Sequence, residues 1–287
     1  MNRDLIHNME SKLDEFSKGQ RKIAEYILKN YDKAAYMTAA KLGKTAEVSE
    51  STVVRFANEM GYEGYPELQR ALQNFVRTKL TSIQRVEVSN KLIGNADLLD
   101  KVLLSDADKI RHTLEELDRG VFRAAVTKIA NAKHIYIIGM RSSSSLAGFL
   151  FFNFQMIFEN IKLVQTTSGS EMFEQIMRIG EGDVMIAISF PRYSKRIINA
   201  VEFARNKGAN VIALTDSKMS PIAQYATELL TAQSDMASFV DSLVAPLSII
   251  NAIIVAVSRE KQEELGVNLK KLEEIWDEYD VYDKSQN

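Results

Sequence analysis

The sequence predicts an all-α N-terminal domain joined to an α/β C-terminal domain, the latter a parallel sheet flanked by helices. Three observations carry that prediction. The first 80 residues read as short helices marked by capping residues and turns. From about residue 96, short apolar runs of strand length alternate with helix-period segments and short turns. The bulk composition, 287 residues with 46% apolar and 26% charged side chains, supplies a substantial core and speaks against wholesale disorder.

The head, residues 1–80, opens its first clear helix at Ser17, after which Ile23, Tyr26, Ile27 and Tyr31 recur at helical spacing. A short helix follows over Thr38–Lys44, with Ala39, Ala40 and Leu42. Ser49 is a good N-cap for a third, in which Thr52, Val53, Val54 and Phe56 follow and Gly61 closes the helix. Val53 and Phe56, spaced i and i+3, are expected to face the core. Two short helices with a connection of about three or four residues match a helix-turn-helix, whose second helix enters the DNA major groove. On that reading Ser49, Glu50, Ser51, Thr52 and Arg55 are the DNA-facing residues. Ser51 and Thr52 suit phosphate or base-edge hydrogen bonds, and Arg55 suits guanine or phosphate. The bland alternative is a helical bundle with an exposed arginine. The head carries 13 Lys and Arg against 11 Asp and Glu, and the remainder 23 against 27, a weak bias toward an acidic partner for the head.

Residues 81–95 are polar and β-branched without helical period, with a Gly94–Asn95 turn signal, and are expected to be a linker. The C-terminal domain, 96–287, then begins with a helix over Leu98–Leu117 that sets Leu99, Val102, Leu103, Ala107, Ile110 and Leu114 on one side. A second helix over Arg119–Asn131 follows. Strands are expected at Ile135–Ile138, Lys162–Gln165, Asp183–Ile188, Asn210–Leu214 and, at an edge, Glu228–Leu230. Helices are expected at Ser142–Glu159, Ser170–Arg178, Lys195–Lys207, Pro221–Tyr225 and Phe239–Arg259. The last is apolar enough to serve either the core or a dimer interface.

Ligands in such sheets bind beyond the C-terminal strand ends, and three of those ends carry hydroxyls. Gly139 is followed by Ser142, Ser143, Ser144 and Ser145; Thr166, Thr167 and Ser168 follow the second strand; Ser189 and Ser194 follow the third. The first N–H groups of a helix are unpartnered and carry partial positive charge, so hydroxyls beside them suit an anion, most often phosphate. Arg141 and Arg192 add positive charge in two of these loops. One serine would suffice for helix capping alone. G-x-G-x-x-G and G-x-x-x-x-G-K-[ST] are absent, so no nucleotide cofactor is expected. There is no cysteine, and His112 and His134 stand isolated, so no metal is expected and both histidines are given structural roles. The start lacks a signal-peptide core, and the longest apolar run, Leu247–Val257, is interrupted by Ser248 and Asn251. No membrane segment and a cytoplasmic location are expected.

The head resembles the N-terminal domain of the RpiR family of bacterial transcription regulators. Val48, Ser49, Thr52, Val53, Arg55 and Phe56 match its V-S-x-x-T-V-x-R-F run. Gly61, Tyr62, Gly64, Tyr65, Glu67 and Leu68 match the G-[FY]-x-G-[FY]-x-E-[LF] that follows. The remainder resembles the sugar isomerase (SIS) domain that follows this head in the family. Gly139 and Ser143 match at the first strand end, with Arg141 where a second glycine is usual. Asp183, Ser189 and Ser194 (for Thr) match at the other, with Pro191 and Arg192 replacing Ser-Gly. Pro191 also removes a backbone N–H.

The resemblance implies a DNA-binding head used as a dimer and a phosphosugar site built from Ser143, Ser189 and Ser194, with Ser142 and Ser144 beside them. Arg141 and Arg192 could supply compensating charge or mark a changed ligand. The function expected is a DNA-binding transcriptional regulator of sugar metabolism, a homodimer or homotetramer, whose partners are a double-stranded operator and a phosphosugar. An isomerase would need a base; Glu171, Asp235, Asp241 and His112 are candidates, none in a recognisable acid/base motif. Two alternatives stay open: a SIS-type sugar-phosphate isomerase, and a regulator whose SIS domain only dimerises.

Overall fold

In a computed structural model of the chain, the described residues are 4–79, 83, 86, 97–166, 168–235 and 240–281. The expected linker, its Gly94–Asn95 turn, Thr167 and Phe239 lie outside them, Ile83 and Val86 excepted. The chain divides into two compact units, residues 1–92 and 93–287.

The first unit contains α1 (Asp4–Ser11), α2 (Lys18–Lys29), α3 (Tyr31–Ala34), α4 (Ala39–Thr45), α5 (Glu50–Glu59) and α6 (Tyr65–Lys79). Its helix starts are set by side chains that satisfy the orphan N–H groups of the first turn. Ser17 Oγ accepts from Gln20 N at 3.4 Å while Gln20 Oε1 accepts from Ser17 N at 3.0 Å, a reciprocal capping box. Thr38 Oγ1 accepts from Lys41 N at 3.2 Å and Ser49 Oγ from Thr52 N at 3.3 Å. The apolar faces converge on one core that includes Met9, Ile23, Ile27, Leu42, Val53, Phe56, Leu68 and Leu72, with Phe16 edge-on to Phe56 at 5.3 Å. The turn between α4 and α5 is tight. A Cβ on Gly43 would stand 2.9 Å from the Val48 carbonyl oxygen, and the Gly43 carbonyl accepts from Val48 N at 2.8 Å. Tyr65 OH donates to the Met37 carbonyl at 2.6 Å, and burial pushes its phenol up to about 12.

The second unit contains α7 (Leu98–Glu116), α8 (Arg119–Ala130), β1 (Ile135–Gly139), α9 (Ser142–Phe154), β2 (Ile161–Val164), α10 (Gly169–Ile176), β3 (Val184–Ile188), α11 (Lys195–Asn206) and β4 (Asn210–Thr215). A 3₁₀ turn (Ala223–Tyr225), β5 (Glu228–Thr231), α12 (Val244–Glu260) and α13 (Gln262–Glu278) complete it. All strand pairs are parallel and the order is β2-β1-β3-β4-β5, so β5 is an edge as expected. Both faces of the central strands are covered, which is why β1 and β3 read as unbroken apolar runs. The two-residue period sends Ile135, Ile137, Val184, Ile186, Ile212 and Leu214 to the core beneath α8, α9 and α12. Tyr136, Ile138, Met185, Ala187, Val211 and Ala213 go to the opposite core beneath α10 and α11.

Several expected bounds need correction, and three of them have a structural cause; the helix expected over Pro221–Tyr225 is only the 3₁₀ turn Ala223–Tyr225. The helix after β1 stops at Phe154 rather than Glu159, because a turn at 155–157 brings Ile157 back into the core and sets Phe158 edge-on to Phe154 at 5.3 Å. The strand β3 starts at Val184, not Asp183. Asp183 Oδ2 accepts from Gly180 N at 2.9 Å and Oδ1 bonds His134 Nδ1 at 2.9 Å, so this carboxylate ties the start of the strand. The last long helix of the core starts at Val244, because Ser242 is held in extended chain by Ser242 N donating to Asp235 O at 3.1 Å and Ser242 Oγ to Asp106 Oδ1 at 2.6 Å. The helix expected over Leu98–Leu117 is present as α7, and its apolar side does not face the unit's core. Lys109 and Thr113 do, while Leu99, Leu103 and Leu114 are exposed.

Candidate functional site

The switch in strand order falls at β1, whose neighbours β2 and β3 are reached in opposite directions along the sheet. Crevices form at such points beyond the C-terminal strand ends. Here a cleft of about 700 Å³ is lined by Gly139, Met140, Arg141 and Ser144 after β1, Val164, Gln165 and Thr166 at β2, and Ser194 and Arg196 at the start of α11. That is the size range of small-molecule sites.

The first loop is built by a tight turn. Ser143 N donates to the Met140 carbonyl at 3.2 Å, and Arg141 between them sits at φ 59°, ψ −128°, the first central position of a type II′ turn. Glycine is the ordinary occupant of that conformation, so the backbone keeps a glycine shape around an arginine. Gly139 just before it is needed for closeness. A Cβ there would fall on the Ser143 carbonyl oxygen and lie 3.0 Å from the Ala147 Cβ, so β1 and the first turn of α9 could not meet.

Two helices open onto the cleft against electrostatic habit. The N-cap of α9 is Arg141 and makes no side-chain cap hydrogen bond; nor does Ser194, the N-cap of α11, whose Oγ donates instead to Met140 Sδ at 3.4 Å. Lys195 and Arg196 occupy the first turn of α11. Basic groups at a helix N-terminus oppose the macrodipole. The start of α11 therefore combines N–H groups that no side chain caps with two cations, an arrangement that an anion stabilises, while at α9 Ser143 N and Ser144 N are held by the Met140 and Arg141 carbonyls and the cation is Arg141. The helix starts of α2, α4, α5, α7 and α8, by contrast, are capped by their own side chains.

The expected ligand residues separate into two groups. Arg141, Ser144 and Ser194 line the cleft, with Ser144 Oγ donating to the Arg141 carbonyl at 2.6 Å. Ser142 and Arg192 are exposed and outside the lining. Ser143 is buried one helix position round from Ser144, a 100° rotation that turns it toward the strand. Ser189 is buried at the end of β3, its N–H donating to the Leu214 carbonyl at 3.0 Å and its Oγ without a hydrogen-bond partner. Sequence reasoning missed Arg196 and Gln165. The signal for Arg196 was present: two basic residues directly after an N-cap serine. Thr166 donates to a Glu171 carboxylate oxygen, so that carboxylate is engaged at the rim. Among the described lining residues there is no carboxylate and no imidazole.

In the first unit, Val53 and Phe56 are buried as expected, leaving Ser49, Glu50, Ser51 and Arg55 exposed and Thr52 half-buried at the N-terminal half of α5. Ser49 Oγ lies 2.8 Å from both Ser51 Oγ and Thr52 Oγ1, and Arg55 Nε donates to the Ser51 carbonyl at 3.4 Å. Lys22 Nζ donates to Glu47 Oε2 at 2.9 Å, tying α2 to the turn before α5. The Lys22 ammonium holds the Glu47 carboxyl below the usual carboxylate range. No helix of the described residues is long and apolar enough to cross a membrane.

Comparison with known proteins agrees with both halves. Residues 3–79 match the model of the helix-turn-helix domain, rpiR family, and residues 128–256 that of the SIS domain. The HTH-type transcriptional regulator HexR of Escherichia coli is 27% identical over 281 residues, covering 94% of this chain and 93% of that one. The sugar isomerase domain of an RpiR transcription factor from Sphaerobacter thermophilus superposes with a TM-score of 0.60 at 25% identity, over 62% of this chain and 99% of that one. Vibrio vulnificus NanR, solved in complex with ManNAc-6P, gives a TM-score of 0.59 at 24% identity over 95% and 97% of the two chains. The helical head, the parallel sheet and both family matches together place this chain in the rpiR family of helix-turn-helix proteins that carry a SIS domain.

Proposed function

We propose that the chain is a DNA-binding transcription regulator of sugar metabolism whose SIS domain senses a phosphosugar and does not turn it over. The observation that carries this is the cleft at the ends of β1 and β2, which Arg141 at the start of α9 and Arg196 at the uncapped start of α11 both line. A phosphate fits the two guanidinium groups and the first N–H groups of α11. Ser144, Ser194, Gln165 and Thr166 supply hydrogen-bonding partners for sugar hydroxyls. That the related NanR was solved with a phosphosugar supports the same ligand class. Ser143, Ser189 and Arg192 belong to this proposal as supporting residues: the first two beneath the loops, the third at their exposed edge.

An aldose–ketose isomerase needs a positioned base; the described lining residues include no carboxylate or imidazole, and the candidate at the rim, Glu171, is engaged by the Thr166 hydroxyl, which favours sensing over turnover. In the head, Ser49, Glu50, Ser51, Thr52 and Arg55 form the groove-facing surface. A two-fold pair of such helices must meet grooves about 34 Å apart, so a modest rotation within a dimer changes operator affinity. A coupling of about 1–3 kcal/mol shifts that affinity roughly 5- to 150-fold.

The test is an operator gel shift across a panel of hexose, pentose and amino-sugar phosphates, run beside a turnover assay. One phosphosugar is expected to change operator affinity without being consumed, and Arg55→Ala is expected to abolish operator binding with the fold intact. Turnover of a phosphosugar, or unaltered binding by Arg55→Ala, would refute the proposal.

A further inference from the structure

We propose that Tyr193 and Asp216 form a latch that holds the start of α11, and with it Arg196, in place for an anion, a role that rests on the cleft binding a phosphorylated ligand. Both are positioning residues, since neither lines the cleft. Tyr193 OH donates to Asp216 Oδ1 at 2.8 Å, and hydroxyl–carboxylate bonds are among the stronger kinds. Tyr193 directly precedes Ser194, the N-cap of α11, and Arg196 follows in the first turn of that helix. Asp216 is the first residue beyond β4. Thr215, the fully buried last residue of that strand, donates its Oγ1 to the same carboxylate oxygen at 3.2 Å. The latch therefore joins the end of an interior strand to a helix start that carries two cations.

That helix start needs a hold from outside. Lys195 and Arg196 stand in its first turn, where the helix dipole disfavours positive charge. Ser194 does not cap the turn, and its hydroxyl goes instead to the Met140 thioether, a weak acceptor, at 3.4 Å. A turn with these features tends to fray, and an incoming anion then bears the free energy of ordering it. A turn already fixed spares the ligand that loss, and binding is tighter by the difference. The two ends of the loop are fixed separately. Ser189 N donates to the Leu214 carbonyl at 3.0 Å where the chain leaves β3, and Tyr193 bonds Asp216 where it enters α11. The Asp216 carboxylate stands outside the cleft lining, so it serves the loop without facing the ligand.

The test is calorimetric titration of the full chain with inorganic phosphate at fixed ionic strength, beside Tyr193→Phe, Asp216→Ala, Asp216→Asn and the double variant Tyr193→Phe/Asp216→Ala. Tyr193→Phe and Asp216→Ala are each expected to weaken phosphate binding roughly 10-fold. The double variant is expected to lose no more, because both changes remove the same bond. Asp216→Asn keeps an acceptor oxygen for the tyrosine and is expected to restore most of the affinity. An effect of charge alone has the opposite sign: losing the carboxylate would raise phosphate affinity in both Asp216 variants. Arg196→Ala is expected to weaken binding less in the Tyr193→Phe background than in the parent, because the guanidinium has already left its place. A residue that only stabilised the fold would leave that loss unchanged. Unaltered phosphate affinity in Tyr193→Phe, raised affinity in both Asp216 variants, or an equal loss from Arg196→Ala in the two backgrounds would overturn the latch while leaving the cleft an anion site. A parent chain that binds no phosphate would overturn the assignment of the cleft and the latch with it.

Discussion

Replacing Arg141 by glycine is expected to push stability and ligand affinity in opposite directions. Arg141 holds φ 59°, ψ −128° within the turn closed by Ser143 N and the Met140 carbonyl. A side chain in a glycine-type conformation costs about 1–3 kcal/mol. Glycine removes that strain and returns roughly 0.5–1 kcal/mol through the greater freedom of the unfolded chain. The net is a gain of about 0.5–2 kcal/mol, which in a domain of this size raises Tm by about 1–8 °C. The same change deletes the guanidinium at the start of α9. A hydrogen bond to a charged group is worth about 1.5–3 kcal/mol, so phosphosugar affinity falls roughly 10- to 150-fold. Arg141→Lys separates the two effects: it keeps the strain and a cation, and should leave Tm unchanged and retain part of the affinity. Differential scanning calorimetry with and without phosphosugar reads both. A lower Tm for ligand-free Arg141→Gly would refute the strain argument, and unchanged affinity would remove Arg141 from the site.

Three further outcomes follow from the same geometry. Gly139→Ala drives a Cβ onto the Ser143 carbonyl and should cost about 1–3 kcal/mol; a thermal melt indistinguishable from the parent would show that the strand–helix approach is slack. Ser189→Ala removes a buried hydroxyl with no hydrogen-bond partner, so the ligand-free protein should gain stability, by about 1 kcal/mol, while phosphosugar stabilisation diminishes; a loss of ligand-free stability would contradict this. Tyr65, pushed up to about 12 by burial, favours the neutral phenol in the folded head. Its stabilisation is therefore complete below pH 10 and lost as pH rises toward 12. Alkaline titration followed by far-UV circular dichroism should show a head transition in that window, and Tyr65→Phe should flatten it.

Much of this was legible before any coordinates. Ser17, Thr38 and Ser49 mark three helix starts because a hydroxyl at that position satisfies N–H groups that nothing else in the helix can reach. The β–α alternation gave the parallel sheet because fully covered strands must be apolar on both faces. The orientation of α7 was not legible. Periodicity identifies an apolar stripe but not which surface it meets, and Lys109 and Thr113 are buried only because Ser105, Asp106 and Gln233 satisfy them. Four consecutive serines likewise gave the loop but not the inward residue. The phase of α9 decides that Ser144 meets the cleft while Ser143 packs beneath it. Helix α13 carried no motif and buries none of its residues. Arg196 escaped because a motif search asks for hydroxyls, whereas its telling property is a cation placed where the helix dipole disfavours one.

The most direct measurement is calorimetric titration of the purified chain with each phosphosugar of the panel and with the same sugar lacking its phosphate. Binding by one phosphorylated member, its affinity lowered by Arg141→Gly and absent for the free sugar, is the expected result. Equal binding of a free sugar, or no binding by any member, would contradict the assignment of the cleft to an anion.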